Sequence, residues 1–191
     1  MDQQKTTFIL YYFLEHDASF HARYKSQLDK LKQEVIMPVE AVWMKTFEDA
    51  DEKQEDGDLQ TDGIPLSTPA FRTHESVELD DLCRAIGSQL AQIGDELDSK
   101  MQPNLIADFI RKMHAQLPDK DQLDLVTSVV HTVFQDRTSE IQPEEYLAVC
   151  TMLLVKKVAL RAPDLLQKTF RVAVQFINQH NLVRVNDRGN V

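Results

Sequence analysis

The sequence predicts an all-α fold in one domain. Prolines recur every 15 to 25 residues in its second half, at 103, 118, 143 and 163, and a stretch with helical apolar spacing follows each of them. Proline is favoured in the first turn of a helix, so these positions mark helix starts. The 191 residues are 42% apolar and 27% charged, as in ordinary globular domains. Five glycines are too few for a β-sandwich rich in tight turns.

The N-terminal part predicts two helices. Residues 8–14 form one apolar run, FILYYFL, which suits either a buried helix or a buried strand. We favour the helix because the rest of the chain has helical patterns. Residues 20–35 form the second predicted helix, since Phe20, Tyr24, Leu28 and Leu31 follow helical spacing.

Residues 37–76 predict a flexible, protease-sensitive loop. The segment 47–58 holds seven acidic side chains and one lysine, and glycine, proline and serine follow it. Such a composition cannot bury a core and favours disorder. A loop of this length inside a compact domain usually has a function, although a solvated spacer is the simpler alternative.

Five further helices are predicted in the second half, at 78–99, 104–116, 120–136, 144–161 and 164–180. Apolar side chains fill nearly the whole circumference of the helix at 144–161. A helix that is apolar all round belongs in a protein centre or in lipid.

Composition and motifs exclude several classes of function. The formal net charge is −10, so a general nucleic-acid-binding role is unexpected. We find no calcium-loop spacing, no zinc ligand set, no phosphate-binding glycine loop and no nucleophile elbow, and we expect neither an enzyme nor a cofactor or metal. Cys83 and Cys150 lie in apolar helical patterns and predict buried, inert thiols. Asp2 argues against a secretory signal, so we expect the intact chain in the cytoplasm.

Residues 82–97 carry the strongest functional signal. Their apolar residues are separated by 4, 4, 3 and 4 positions and form one stripe: Leu82, Ile86, Leu90, Ile93 and Leu97. A helix with such a stripe can lie in an apolar groove of a partner. Core helices show the same stripe, so periodicity alone favours a structural role.

Two residues change this balance. Gly94 allows another backbone to approach closely, and Asp95 places a carboxylate beside the stripe, where an arginine could bind it through two hydrogen bonds. The sequence LAQIGD at 90–95 resembles the BH3 death motif of the Bcl-type apoptosis regulators. In addition, LQTDG at 59–63 resembles the activating cleavage site of a BH3-only member of this family. MLLVKKVA at 152–159 and FINQ at 176–179 resemble its central helical hairpin.

The resemblance implies a Bcl-like bundle of about seven or eight helices with a central apolar hairpin. It implies that an initiator caspase cuts after Asp62 and that Gly63, the new N-terminus, accepts a myristoyl chain. The C-terminal fragment would move to the cardiolipin-containing mitochondrial outer membrane. There it would activate BAX and BAK to release cytochrome c, while anti-apoptotic Bcl relatives would sequester it. The partner-binding residues would be Gly94, Asp95 and the five apolar anchors, which we expect to be packed on the core of the intact chain.

Charge supports a membrane role for the C-terminal fragment. Residues 1–62 have a net charge of −7, residues 63–191 of −3, and residues 156–191 of +5, which suits anionic lipid. An alternative function stays open: a membrane-inserting or lipid-handling protein that acts through the hairpin at 144–180 without BH3 partners. A vesicle leakage assay in the absence of any Bcl relative separates the two.

Overall fold

A computed structural model describes residues 3–38, 74–137 and 140–183. Seven α-helices lie in these ranges: α1 (Gln3–His16), α2 (Ala18–Leu31), α3 (His74–Leu97), α4 (Pro103–His114), α5 (Asp119–Gln135), α6 (Pro143–Arg161) and α7 (Leu166–Gln179). A π-helical segment (Lys32–Ile36) and two 3-10 turns (Asp98–Lys100 and Pro163–Leu165) complete the regular structure, and no strand occurs in the described ranges. The predicted all-α bundle is confirmed.

The apolar run near the N-terminus forms the buried helix α1. Nine consecutive residues of α1, from 6 to 14, are buried, so this helix has no solvent-exposed side along most of its length. It packs against α3, α6 and α7. Thr6 is polar but buried in this helix, and its hydroxyl donates a hydrogen bond to Asn178 Oδ1 of α7 at 2.7 Å. The choice of a helix over a strand for residues 8–14 is therefore correct.

The helices α6 and α7 form the central apolar hairpin. Residues 148–155 of α6 are buried without interruption, as are most apolar residues of α7. The two helices pack against each other, and α5 packs against both. Within the described ranges, no helix combines the length and the apolarity that crossing a bilayer requires.

The prolines act as predicted. Pro103 and Pro143 are the first residues of α4 and α6, and Pro118 lies at the N-cap position of α5. Pro163 begins the 3-10 turn that leads into α7. Because the N–H groups of a first helical turn have no partner within the helix, proline removes no hydrogen bond there.

The second helix differs from its prediction. Asp17 caps α2 by accepting hydrogen bonds from the N–H groups of Ser19 at 2.9 Å and Phe20 at 3.0 Å. The helix then kinks at Tyr24 (φ −115°, ψ 25°), whose hydroxyl donates to the Leu160 carbonyl of α6 at 3.0 Å. After residue 31 the hydrogen bonding becomes π-helical. Apolar spacing cannot distinguish a straight α-helix from a kinked or a π-helical one. The prediction of one uniform helix over 20–35 is therefore only partly correct.

Most of the predicted loop, residues 39–73, lies outside the described ranges. Its described ends are helical and not loop: residues 37–38 continue the preceding helical segment, and α3 begins at 74 rather than at 78. Both cysteines are buried thiols, as expected. Burial raises the pKa of the Cys150 thiol to about 12, against a smaller lowering by the Tyr146 hydroxyl. This thiol is therefore protonated at neutral pH, which favours a structural role over that of a nucleophile.

Candidate partner-binding helix

The predicted anchors of α3 divide into a buried and a half-buried group. Leu90 and Leu97 are each only 5% exposed and belong to the core. Ile86 and Ile93 are half-buried and pack at its margin, and Leu82 is half-buried as well. The expectation that the whole stripe is packed on the core therefore needs correction, since one edge of it reaches solvent.

A second face of α3 comes very close to the backbone of a neighbouring helix. It consists of small residues spaced 4, 4 and 3 positions apart, all buried: Cys83, Gly87, Ala91 and Gly94. A Cβ atom at Gly87 would lie 2.8 Å from the Ile9 carbonyl oxygen, so the α1 backbone crosses α3 at this point. Sequence reasoning missed this seam, although the small residues repeat in parallel with the apolar stripe.

Gly94 serves the same seam. A Cβ atom there would lie 3.0 Å from Cζ of Phe13 and 3.7 Å from Cγ1 of Val149, so the glycine leaves room for an aromatic ring of α1. Sequence reasoning assigned Gly94 to a close approach by a partner. The structure shows that a neighbour inside the bundle already uses this space.

A polar cluster borders the seam. The Tyr12 hydroxyl donates to Asp80 Oδ1 at 2.5 Å, and the Arg84 guanidinium lies 4.4 Å from the centre of the Tyr12 ring. Arg84 also lies 3.9 Å from Glu15 and 3.8 Å from Asp80. Burial, and then the hydrogen bond to Asp80, raise the pKa of Tyr12 well above its usual value. The cluster fixes α1 and α3 relative to each other.

Asp95 stands apart from this buried surface. Its side chain is 71% exposed, and its carboxylate lies 3.8 Å from Nζ of Lys156 on α6. Nζ of Lys157 lies 2.7 Å from Asp98, just after α3. Thus, the C-terminal end of α3 faces two adjacent lysines of the central helix.

These contacts correct the charge argument made for residues 156–191. Lys156 is paired with Asp17 at 2.6 Å, and Lys157 with Asp98, so neither is an unpaired cation in the folded protein. Lys168 donates to the Met113 carbonyl at 3.2 Å, and Arg161 donates to the Pro103 carbonyl at 2.8 Å. A count along the sequence cannot include counter-ions that other helices supply.

The chain turns back toward α3 after α7. Asn181 adopts a positive φ of 48°, and the Leu182 N–H donates to the Ile177 carbonyl at 3.1 Å, which ends the helix in a Schellman motif. Leu182 and Val183 are buried and line a groove beside Ile86 and Leu90. The predicted cleavage and lipidation residues, Asp62 and Gly63, lie outside the described ranges, as do residues 184–191.

Replacing Leu90 by alanine is expected to destabilise the intact chain more than the same change at Ile93. Deleting a fully buried leucine side chain costs about 2–5 kcal/mol, because a cavity adds to the lost transfer free energy. Ile93 is half-buried, and its loss should cost roughly 1–2 kcal/mol. Urea denaturation followed by circular dichroism measures both values, and equal losses would contradict the burial described above.

Comparison with known proteins agrees with the motif. A family model described as "BH3 interacting domain (BID)" matches residues 1–188. The mouse protein named "BH3-interacting domain death agonist" is 32% identical over 170 residues, which cover 84% of this chain and 82% of the mouse protein. A chicken protein of the same name is 32% identical over 133 residues, covering 65% and 66% of the two chains.

Proposed function

The chain belongs to the BID family of BH3-interacting death agonists, and from this premise we propose that it is held latent by its own α1 and activated by proteolysis. An initiator caspase cuts after Asp62. The fragment 63–191 then presents α3 to BAX and BAK, which release cytochrome c, and to anti-apoptotic Bcl relatives, which sequester it. The uncut chain is cytoplasmic, and the fragment acts at the mitochondrial outer membrane.

One observation carries this proposal: α1 covers the small-residue face of α3 and lies on the other side of Asp62 in the sequence. A cut at Asp62 removes the covalent link between these two packed helices. Once α1 moves away, the small-residue face of α3 is uncovered, and α3 loses a helix that holds it in the bundle and can enter a groove. Each anchor that a partner buries contributes about 1.5–3 kcal/mol before ordering costs, so five anchors suffice for useful affinity.

A peptide spanning residues 82–97 tests this function directly. We expect it to bind the groove of an anti-apoptotic Bcl relative as an amphipathic helix, with its apolar stripe inside the groove. Fluorescence anisotropy of a labelled peptide measures the affinity. A scrambled peptide of the same composition is the control, and equal binding by both peptides would contradict the proposal.

We expect the fragment to need two membrane signals, a myristoyl chain on Gly63 and its basic residues. One acyl chain gives only marginal binding, with an association constant of about 10⁴ M⁻¹. Each lysine near an anionic surface adds about 1 kcal/mol, but Lys156 and Lys157 can do so only after leaving Asp17 and Asp98. Sedimentation with cardiolipin vesicles should therefore show tighter binding by the acylated fragment and weaker binding at high salt. A fraction of vesicle-bound fragment that changes with neither acylation nor salt concentration would contradict this model.

A further inference from the structure

A three-residue ion cluster joins the α1–α2 junction, α3 and α6. Nζ of Lys156 lies 2.6 Å from Asp17 Oδ2 and 3.8 Å from Asp95 Oδ1. The side chain of Lys156 is only 11% exposed, that of Asp17 is 28% exposed, and that of Asp95 is largely in solvent. One ammonium group therefore faces two carboxylates in very different environments.

Asp17 is the stronger and more rigid partner. Its Oδ1 accepts the two N–H groups that cap α2, while Oδ2 contacts the lysine. Burial would raise the pKa of this carboxyl, but the hydrogen bonds from Lys156, Ser19 and the Phe20 N–H together hold the pKa far below its usual range. Asp17 thus remains ionised, which a nearly buried ammonium requires of its counter-ion.

Asp95 is held by the same ammonium, but weakly. A solvated carboxylate at 3.8 Å gains little from such a pair, because water and salt screen it. A guanidinium that binds both carboxylate oxygens makes stronger, charge-assisted hydrogen bonds. A bidentate arginine can therefore displace the lysine.

We propose that Lys156 is an internal substitute for a partner's arginine and that its contact with Asp95 is an autoinhibitory ion pair. This inference rests on the proposed function, in which Asp95 pairs with an arginine of the partner groove. Asp17 keeps the ammonium in place, and it belongs to the part of the chain that precedes Asp62. When a partner binds, its arginine replaces Lys156 as the counter-ion of Asp95, while Lys156 stays paired with Asp17.

The test compares Lys156→Gln with Lys157→Gln in the uncut full chain. Both variants remove one charge from adjacent positions of α6, but only the first releases Asp95, since Lys157 contacts Asp98. Lys156→Gln should bind an anti-apoptotic Bcl relative about two- to fivefold more tightly than the unchanged protein, as expected for the loss of an exposed ion pair. The double variant Asp17→Asn with Lys156→Gln leaves no unpaired buried charge and should show the same gain if the single variant folds poorly.

The same substitutions in an Asp95→Asn background show whether Lys156 acts through Asp95. The gain from Lys156→Gln should vanish there, while any gain from Lys157→Gln should persist. An equal gain from Lys156→Gln in both backgrounds would overturn the proposal. Hydrogen exchange of the α3 amides near residue 95 gives the same comparison without a partner. If no variant binds the Bcl relative, the proposed function fails, and the exchange rates still decide whether Lys156 restrains α3 through Asp95.

Discussion

Replacing Asp62 by alanine is expected to leave the chain uncut by an initiator caspase and inactive on mitochondria. The specificity pocket of such a protease binds an aspartate carboxylate through buried polar groups. A substrate that leaves those groups unpaired is rejected by a factor of roughly 10⁴. Gel electrophoresis after digestion measures the cleavage, and cytochrome c in the supernatant of isolated mitochondria measures the activity.

Asp58→Ala is the matched control for this experiment, because it removes one acidic charge from the same predicted loop. That variant should be cut at the rate of the unchanged chain, and its fragment should release cytochrome c. Cytochrome c release by the uncut Asp62→Ala chain would show that proteolysis is not the activating step. Cleavage of Asp62→Ala at the normal rate would show that the scissile bond lies elsewhere.

Replacing Asp95 by alanine is expected to abolish most partner binding with little change in folding stability. Hydrogen bonds to charged groups contribute about 1.5–3 kcal/mol, so the loss corresponds to roughly 10- to 100-fold weaker binding. The side chain is 71% exposed and its ion pair is long, so the free energy of unfolding should change by about 0.5 kcal/mol or less. Calorimetric titration of the cut protein with an anti-apoptotic Bcl relative measures the affinity.

Glu96→Ala provides the control for Asp95→Ala. Glu96 is the next residue of α3, is also exposed and carries the same charge, but lies outside the predicted arginine contact. Its replacement should leave the affinity nearly unchanged. If both variants weaken binding equally, the effect arises from net charge, and the assignment of Asp95 as the arginine partner is wrong.

Local patterns in the sequence were sufficient to predict the helices. Pro103, Pro143 and the apolar spacing after them reveal helix starts within one turn, because both signals act over a few residues. The helical state of residues 8–14 followed only from consistency with the rest of the chain. The kink at Tyr24 was not predicted; it occurs where the Tyr24 hydroxyl bonds to the α6 backbone, which is distant in sequence and invisible to local spacing.

The sequence predicted which residues of α3 form the candidate site, but not which neighbours pack against them. The pattern of α3 predicted five anchors and Asp95 as partner-binding residues, and these assignments stay predictions. It could not show that the α1 backbone approaches α3 at the small-residue face, because that depends on where α1 packs. Nor could it show that Lys156 has its counter-ion on the α1–α2 junction. Pairing between distant segments is a property of the assembled bundle.

The burial of α1 has a kinetic consequence. Because α1 is enclosed by α3, α6 and α7, we expect it to keep this packing when the peptide bond between residues 62 and 63 is hydrolysed. The cut molecule would then be a two-chain complex with a long lifetime. Its delay before acting would be governed by the dissociation rate of the N-terminal piece, so a membrane or partner that accelerates dissociation would shorten that delay without altering proteolysis.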